Sequence, residues 1–193
     1  YAGGFSLYGN KMITTGEGGI IVTNKKKVHD NIKKLKNFGR ENKGTYVHDS
    51  EGYNFKFTDL QAALGITQFK KLDKIISHKK KIYYLYRKYL KNVQEVEFQE
   101  YDKNISEPTF WFTNIIVSKK KLLMKYLRKL NIETRELFLP LNRQKFISNS
   151  FSKKFVNSSF VYDNGFSLPS HMLINPKQVK YISKEIKNFY NKY

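Results

Sequence analysis

The lysines of this 193-residue chain gather in runs, Lys25–Lys27, Lys79–Lys81 and Lys119–Lys121 among them, and Lys11 stands apart from these. Residues 6–16 carry no other charge. A lysine among uncharged and apolar neighbours sheds part of its hydration. That is the setting in which its amine becomes a nucleophile toward an aldehyde or ketone. Ser6 brings a hydroxyl that suits a phosphate oxygen, and Gly16, Gly18 and Gly19 let the backbone turn tightly and approach a ligand closely. On spacing alone such a segment is more often a solvated loop. Other chemistries find no residues. The chain has no cysteine, and His29, His48, His78 and His171 are dispersed, none at metal-ligand spacing from another. No metal site is expected, no Ser-His-Asp order stands out, and no dinucleotide fingerprint is present.

The elements that must position these residues follow from hydrophobic spacing. Gly19 to Thr23 is short, apolar and β-branched and predicts a buried strand. Asn24 is placed to cap a helix over 25–38, with Val28, Ile32 and Leu35 on one face and Gly39 after its end. Residues 40–52 read as a loop. Thr58 and Gln61 form a capping-box pattern that opens one long helix over 58–91, bent near Gly65 and about 50 Å long at 1.5 Å per residue. Beyond it the pattern predicts strands over 93–98, 109–117 and 134–139, and a helix from Ser118 to about 131. A further helix is read over 151–161 and a last one from Asn175 and Pro176. Trp111 and the phenylalanines around it read as core.

Ser6-Leu7-Tyr8-Gly9-Asn10-Lys11 with Ile13-Thr14-Thr15-Gly16-Glu17-Gly18-Gly19 resembles the cofactor-lysine segment of the DegT/StrS-type nucleotide-sugar aminotransferases. With Tyr-Gly-Asn before the lysine it is most similar to the GDP-perosamine synthases among them. Gly52-Tyr53-Asn54-Phe55-Lys56-Phe57-Thr58 resembles a second family motif, whose asparagine reaches across a dimer to the cofactor phosphate. Lys56 stands where that motif has arginine, which keeps the charge and loses the planar fork. Thr134-Arg135 with Leu139-Pro140-Leu141 resembles the family's loop near the sugar site. Asn142 replaces the histidine that follows it there, so no role carries over. Gly165-Phe166-Ser167-Leu168-Pro169-Ser170 resembles a family turn.

The resemblance implies an α/β chain of the aspartate-aminotransferase fold (fold type I), corresponding to its C-terminal portion. Residues 1–57 would be the end of the pyridoxal phosphate (PLP)-binding large domain, 58–91 a long linking helix, and 92–193 a small α/β domain. Lys11 would be the catalytic lysine, holding PLP with Ser6 and the partner subunit's Asn54 in a homodimer. Pyridoxamine phosphate would be the intermediate form of the cofactor. The expected reaction moves an amino group from a donor, glutamate, to a 4-keto-6-deoxy nucleotide sugar. A chain equivalent to about half of such an enzyme is expected to be inactive alone.

Rival readings come from charge and from the family itself. The net charge of +20 suits a basic nucleotide- or nucleic-acid-binding module or a non-catalytic fragment. Against nucleic acid stands the make-up of that charge: 31 lysines and only five arginines, spread over several predicted helices and not along one stripe. A PLP-dependent sugar dehydratase is the alternative within the family, and it has histidine where Lys11 stands. No apolar run approaches the roughly 18 residues of a membrane span, and no secretory signal is recognised, so a cytoplasmic setting is expected.

Overall fold

The computed structural model describes residues 1–41, 44, 46–147 and 155–193. Helices and strands are mixed along the chain, as the α/β reading expects. Two compact units form, residues 1–74 and 75–193. Their boundary falls inside the stretch that the sequence reads as one helix.

In the first unit, β1 (Gly3–Ser6) and β2 (Gly19–Val22) pair antiparallel, from Gly3 opposite Val22 to Ser6 opposite Gly19. The expected strand is present, but it is not buried: Ile20, Ile21 and Val22 are about half exposed. A two-stranded ribbon has two faces, and among the described residues neither is covered by a further layer. Helix α1 (Lys26–Leu35) starts from Lys25, not from an Asn24 cap. Ahead of the helix the hydroxyl of Thr23 accepts the Lys25 N–H at 3.1 Å while donating to the Tyr1 carbonyl at 2.7 Å, and α1 has no side-chain cap. The chain leaves α1 through Phe38 and Gly39, both left-handed at φ 59° and 74°. There it meets the loop before α2. A Cβ on Gly39 would lie 1.7 Å from the Ser50 carbonyl oxygen, and one on Gly52 would lie 1.9 Å from the Gly39 nitrogen. Only two glycines let these backbones cross so closely.

Helix α2 (Asp59–Phe69) opens with the capping box the sequence predicts, Thr58 Oγ1 accepting from Gln61 N–H and Gln61 Oε1 accepting from Thr58 N–H. The expected single helix over 58–91 is in fact two. It breaks at Lys70 and Lys71, not at Gly65, and resumes as α3 (Leu72–Leu90). The Lys71 N–H turns to the Gln68 carbonyl, a three-residue step that ends the α-helical ladder. The break also separates two environments. Leu60, Ile66 and Phe69 of α2 are exposed, whereas Ile75, Ile82, Tyr83, Tyr86 and Leu90 of α3 are buried.

The second unit carries the core. Four antiparallel strands lie in the order β3 (Val96–Phe98), β4 (Thr113–Val117), β6 (Gly165–Leu168), β5 (Arg135–Glu136). Helices α4 (Lys120–Lys129), α5 (Val156–Asn164) and α6 (Pro176–Lys192) complete the unit. Period-two alternation places Thr113, Ile115 and Val117 inward, against Leu123 and Leu127 of α4 and Val179, Ile182, Ile186 and Phe189 of α6. The expected strand over 134–139 shrinks to two residues, and the helix read over 151–161 begins in residues that are not described. Ser118 does not cap α4, since Lys119 occupies the N-cap in the left-handed region at φ 53°. The Asn175–Gln178 capping box of α6 is complete.

Gly165–Leu168, read from sequence as a turn, is the fully buried inner strand β6. Its small residues allow this. The Ser167 hydroxyl bonds to Asn114 Oδ1 at 2.7 Å across the sheet, and Gly165 passes close to three neighbours. A Cβ there would lie 2.6 Å from the Val161 carbonyl oxygen and from Leu137 Cδ1, and 3.3 Å from the Ile115 carbonyl oxygen. Gly165→Ala is therefore expected to destabilise the chain by about 1–3 kcal/mol, as overpacking does. Gly4→Ala, where a Cβ meets nothing within 4 Å, serves as the control. Urea unfolding midpoints measure the difference, and equal midpoints would show that β6 has room to spare.

Candidate functional site

The candidate site is the loop between β1 and β2, and its residues explain why it is closed. Leu7, 5% exposed, donates its N–H to the Gly18 carbonyl at 2.9 Å. Its carbonyl accepts from the Thr15 N–H and from Thr14 Oγ1, each at 3.0 Å. Thr14 Oγ1 also accepts from the Gly16 N–H, and buried Thr15 donates its hydroxyl to the Glu17 carbonyl at 2.7 Å. Within this frame Tyr8-Gly9-Asn10-Lys11 makes a tight turn, the Lys11 N–H bonding to the Tyr8 carbonyl at 3.0 Å. Lys11 is half-buried. Gly18, at φ 131°, is the corner that admits Phe57, whose ring would stand 2.6 Å from a Cβ there. Gln61 Nε2 donates to the Glu17 carbonyl at 3.0 Å and ties the loop to the start of α2.

Ser6 and Lys11 thus belong to one hairpin and its loop, with Ser6 exposed and its hydroxyl accepting the Tyr8 N–H at 3.3 Å. Asn54 stands on another loop. Hydrogen bonds from Tyr53 N–H to the Leu35 carbonyl, Phe55 N–H to the Lys36 carbonyl and Phe38 N–H to the Tyr53 carbonyl lash that loop to the end of α1. Asn54 itself forms an antiparallel bridge with Asn37. Its side chain is exposed, and Lys56 Nζ donates to its Oδ1 at 2.5 Å. An ammonium has donors only, so the carbonyl end of the amide faces Lys56 and the NH2 end points away, ready to donate. The lysine is itself placed by Phe38, whose ring centroid lies 3.9 Å from Nζ. This orienting role of Lys56 was invisible in the sequence, where it showed only as a departure from a motif.

A second feature lies in the other unit. The Arg135 guanidinium carbon sits 4.7 Å from the Phe112 ring centroid and 5.0 Å from that of Phe138, and Trp111 packs on Phe112 at 4.3 Å. Phe110 is core, stacked on Tyr83 at 3.8 Å, but Trp111 and Phe112 are only half-buried and Phe138 is exposed. The reading of all these rings as core is corrected accordingly. A signal was present: the strand expected over 109–117 would alternate its side chains and could not turn Phe110, Trp111 and Phe112 all inward, though in the structure Phe110 is left-handed at φ 53° and the strand starts at Thr113. Ion pairs fix the segment around Arg135. Lys120 reaches Glu136, and Arg143 grips Asp163 with two bonds of 2.6 Å. Lys79 holds the Trp111 backbone, donating to its carbonyl at 3.1 Å and to that of Ser170 at 2.6 Å. Burial pushes the Lys79 pKa down, since desolvation disfavours the ammonium. Asn142 lies in a single 3-10 turn, Leu141–Arg143.

No group of histidine, aspartate and glutamate able to hold a metal ion exists among the described residues. The donor set of the Lys11 loop suits a small phosphorylated aldehyde instead: one amine, one hydroxyl, glycine corners, and no carboxylate between Phe5 and Gly16.

Comparison with known proteins gives the same direction. The chain is 33% identical over 190 residues to the GDP-perosamine synthase of Escherichia coli O157:H7, covering 97% of this chain and 51% of that one. It is 35% identical over 193 residues to the GDP-perosamine synthase of Vibrio cholerae, covering 97% and 52%. It therefore spans about half the length of the curated relatives it matches. In structure it is similar to PseC of Helicobacter pylori, an aminotransferase involved in the biosynthesis of pseudoaminic acid, with a TM-score of 0.87 and 23% identity over 100% of this chain and 54% of that one. A likeness at that identity establishes the fold. The family model of the DegT/DnrJ/EryC1/StrS aminotransferases matches residues 1–187, and the chain belongs to that family.

Proposed function

We propose that this chain forms the lysine-bearing part of a PLP-dependent aminotransferase that moves an amino group from glutamate to the 4-keto carbon of a GDP-linked 4-keto-6-deoxy sugar. The observation that carries the reading is a half-buried lysine held on a closed loop, with no carboxylate from Ser6 to Gly16, beside an exposed serine hydroxyl. Pyridoxal phosphate, when bound, supplies an aldehyde and an electron-withdrawing ring. Lys11 would hold the aldehyde carbon and, once released, take the Cα proton of the amino donor with its Nζ. In the second half of the reaction the same Nζ would deliver a proton to sugar C4. Ser6 Oγ and an Asn54 amide N–H would hold the phosphate. Asn54 sits on a loop of its own, which supports a homodimer in which the partner subunit's Asn54 completes the site. A lysine in place of histidine speaks against dehydratase chemistry. A cysteine-free chain fits a cytoplasmic setting, and no described helix is long and apolar enough to cross a membrane.

The primary test joins this chain to the segment that the curated relatives carry ahead of the matched half. Borohydride reduction of the PLP-loaded protein is expected to attach the cofactor to the peptide containing Lys11, and Lys11→Ala to abolish turnover. Attachment at another lysine would remove the assignment.

Lys56→Met in the same protein frees the Asn54 amide to turn. The constant for pyridoxamine phosphate is expected to weaken about tenfold, the worth of roughly one charged hydrogen bond. At saturating cofactor kcat should hold, and Lys56→Arg should restore binding. Unchanged binding in Lys56→Met would show that Asn54 needs no orienting partner.

Mixing Lys11→Ala with Asn54→Ala subunits tests the shared site. One of the two sites in each hybrid would then carry both defects and the other neither, so activity should partly return. Hybrids that form without recovery would mean that each chain completes its own site.

A further inference from the structure

The α6 helix carries a basic stripe that the sequence reading did not foresee. Lys177, Lys180, Lys184 and Lys187 follow one another at three- and four-residue steps, the spacing of one helical face. They span about 15 Å along the axis at 1.5 Å per residue. With Tyr181 of α6 and Tyr89 of α3 they line an open cavity of about 460 Å³ whose wall is mostly apolar. That is within the range of about 300–1,000 Å³ usual for small-molecule sites. The remaining lining side chain, Ser183, is spent on the Val179 carbonyl at 2.8 Å.

Charge selects the ligand class. No carboxylate lines the cavity, and none of the four lysines enters an ion pair among the described residues. Glu185 of the same helix is engaged elsewhere, accepting from the Tyr126 hydroxyl at 2.9 Å and from Asn188. Lys177 stands in the first turn of α6, where the helix N-terminus adds its own partial positive charge. Four compact ammonium groups without acidic neighbours suit phosphate oxygens. The two tyrosines suit something flat: Tyr89 is held against the core, and Tyr181 is 47% exposed and open to stacking. The concavity favours a small molecule over a flat membrane surface.

We propose that the α3–α6 cavity is a binding site for a nucleoside polyphosphate, with the base against Tyr181 and Tyr89 and the phosphates along the α6 lysines. This site uses none of the residues of the Lys11 loop and stands or falls apart from the aminotransferase reading.

The test is calorimetric titration of the 193-residue chain with GTP, guanosine and inorganic tripolyphosphate at low and moderate salt. GTP is expected to bind, guanosine not to, and tripolyphosphate to bind about tenfold more weakly, the lost stacking being the difference. Lys180→Glu with Lys184→Glu should weaken GTP binding at least about tenfold. Lys125→Glu with Lys129→Glu, the same charge change on α4, should leave it within about twofold, as a purely distant field would. Tyr181→Ala should lower GTP to the level of tripolyphosphate. Equal losses in both charge-reversed proteins, tripolyphosphate binding as tight as GTP, or displacement of GTP by a short oligouridylate would each overturn the proposal. Loss of GTP binding in Arg135→Ala with the α6 variants unaffected would also overturn it, placing the nucleotide at the sheet edge.

Discussion

Leu7 is the pin on which the lysine loop depends. Its N–H and C=O together take three hydrogen bonds, from or to Gly18, Thr15 and Thr14, in a place closed to water. Each bond is worth only about 1 kcal/mol net, but leaving a buried backbone group unpaired costs about 1–3 kcal/mol. The loop is therefore held shut by the penalty of opening it. Lys11, four residues on, inherits a fixed start for its side chain. The glycines at 16 and 18 are the complement of this closure, since their positive φ angles turn the chain back toward β2 without strain.

The two units differ in how their apolar residues are used. The second unit packs sixteen buried residues into one cluster, with the four-residue strand β6 inside it and helices α3, α4 and α6 supplying most of the rest. In the first unit Leu7 is the one buried hydrophobic residue among those described, while Phe5, Ile20, Ile21, Tyr53, Phe55, Leu60 and Phe69 are exposed. Burial at about 25 cal/mol per Å² is the main favourable contribution to folding. By that measure the second unit holds most of the stability available to the chain. The hairpin that carries Lys11 is a two-stranded ribbon with open edges, a form that is marginal by itself in water.

The lysines divide the same way. Many give the surface its positive charge, but several are structural donors, three of which show the pattern. Lys56 faces the Asn54 amide, Lys79 joins the Trp111 and Ser170 carbonyls, and Lys120, 7% exposed, bonds to the Tyr162 carbonyl at 2.6 Å as well as to Glu136. Lys79 satisfies loop carbonyl oxygens and Lys120 one in the last turn of α5, and the flexible four-carbon stem lets a single head group reach them from a helix. A composition dominated by lysine thus served local packing as well as charge.

Local grammar was legible in the sequence. The Thr58–Gln61 and Asn175–Gln178 capping boxes, Gly39 after α1, the alternation in β4 and the uncharged setting of Lys11 between Ser6 and its glycines are all decided within a few residues. Short-range hydrogen bonding and backbone sterics fix them before any packing occurs. What lay beyond that range needed the folded chain. The helix over 58–91 broke at Lys70 and Lys71 because its two halves meet different surroundings, which periodicity alone does not report. Gly165–Leu168 became an inner strand and not a turn because its neighbours β4 and β5 arrive from about 50, and about 30, residues away in sequence. Lys56 acquired Phe38, Arg135 acquired Phe112, and the α6 lysines acquired Tyr89, each through contacts that only tertiary folding creates. The sequence by itself determined which residues could do chemistry and how their own turns close; the tertiary structure decided which groups face them, because a side chain's partner is set by long-range packing and not by its place in the chain.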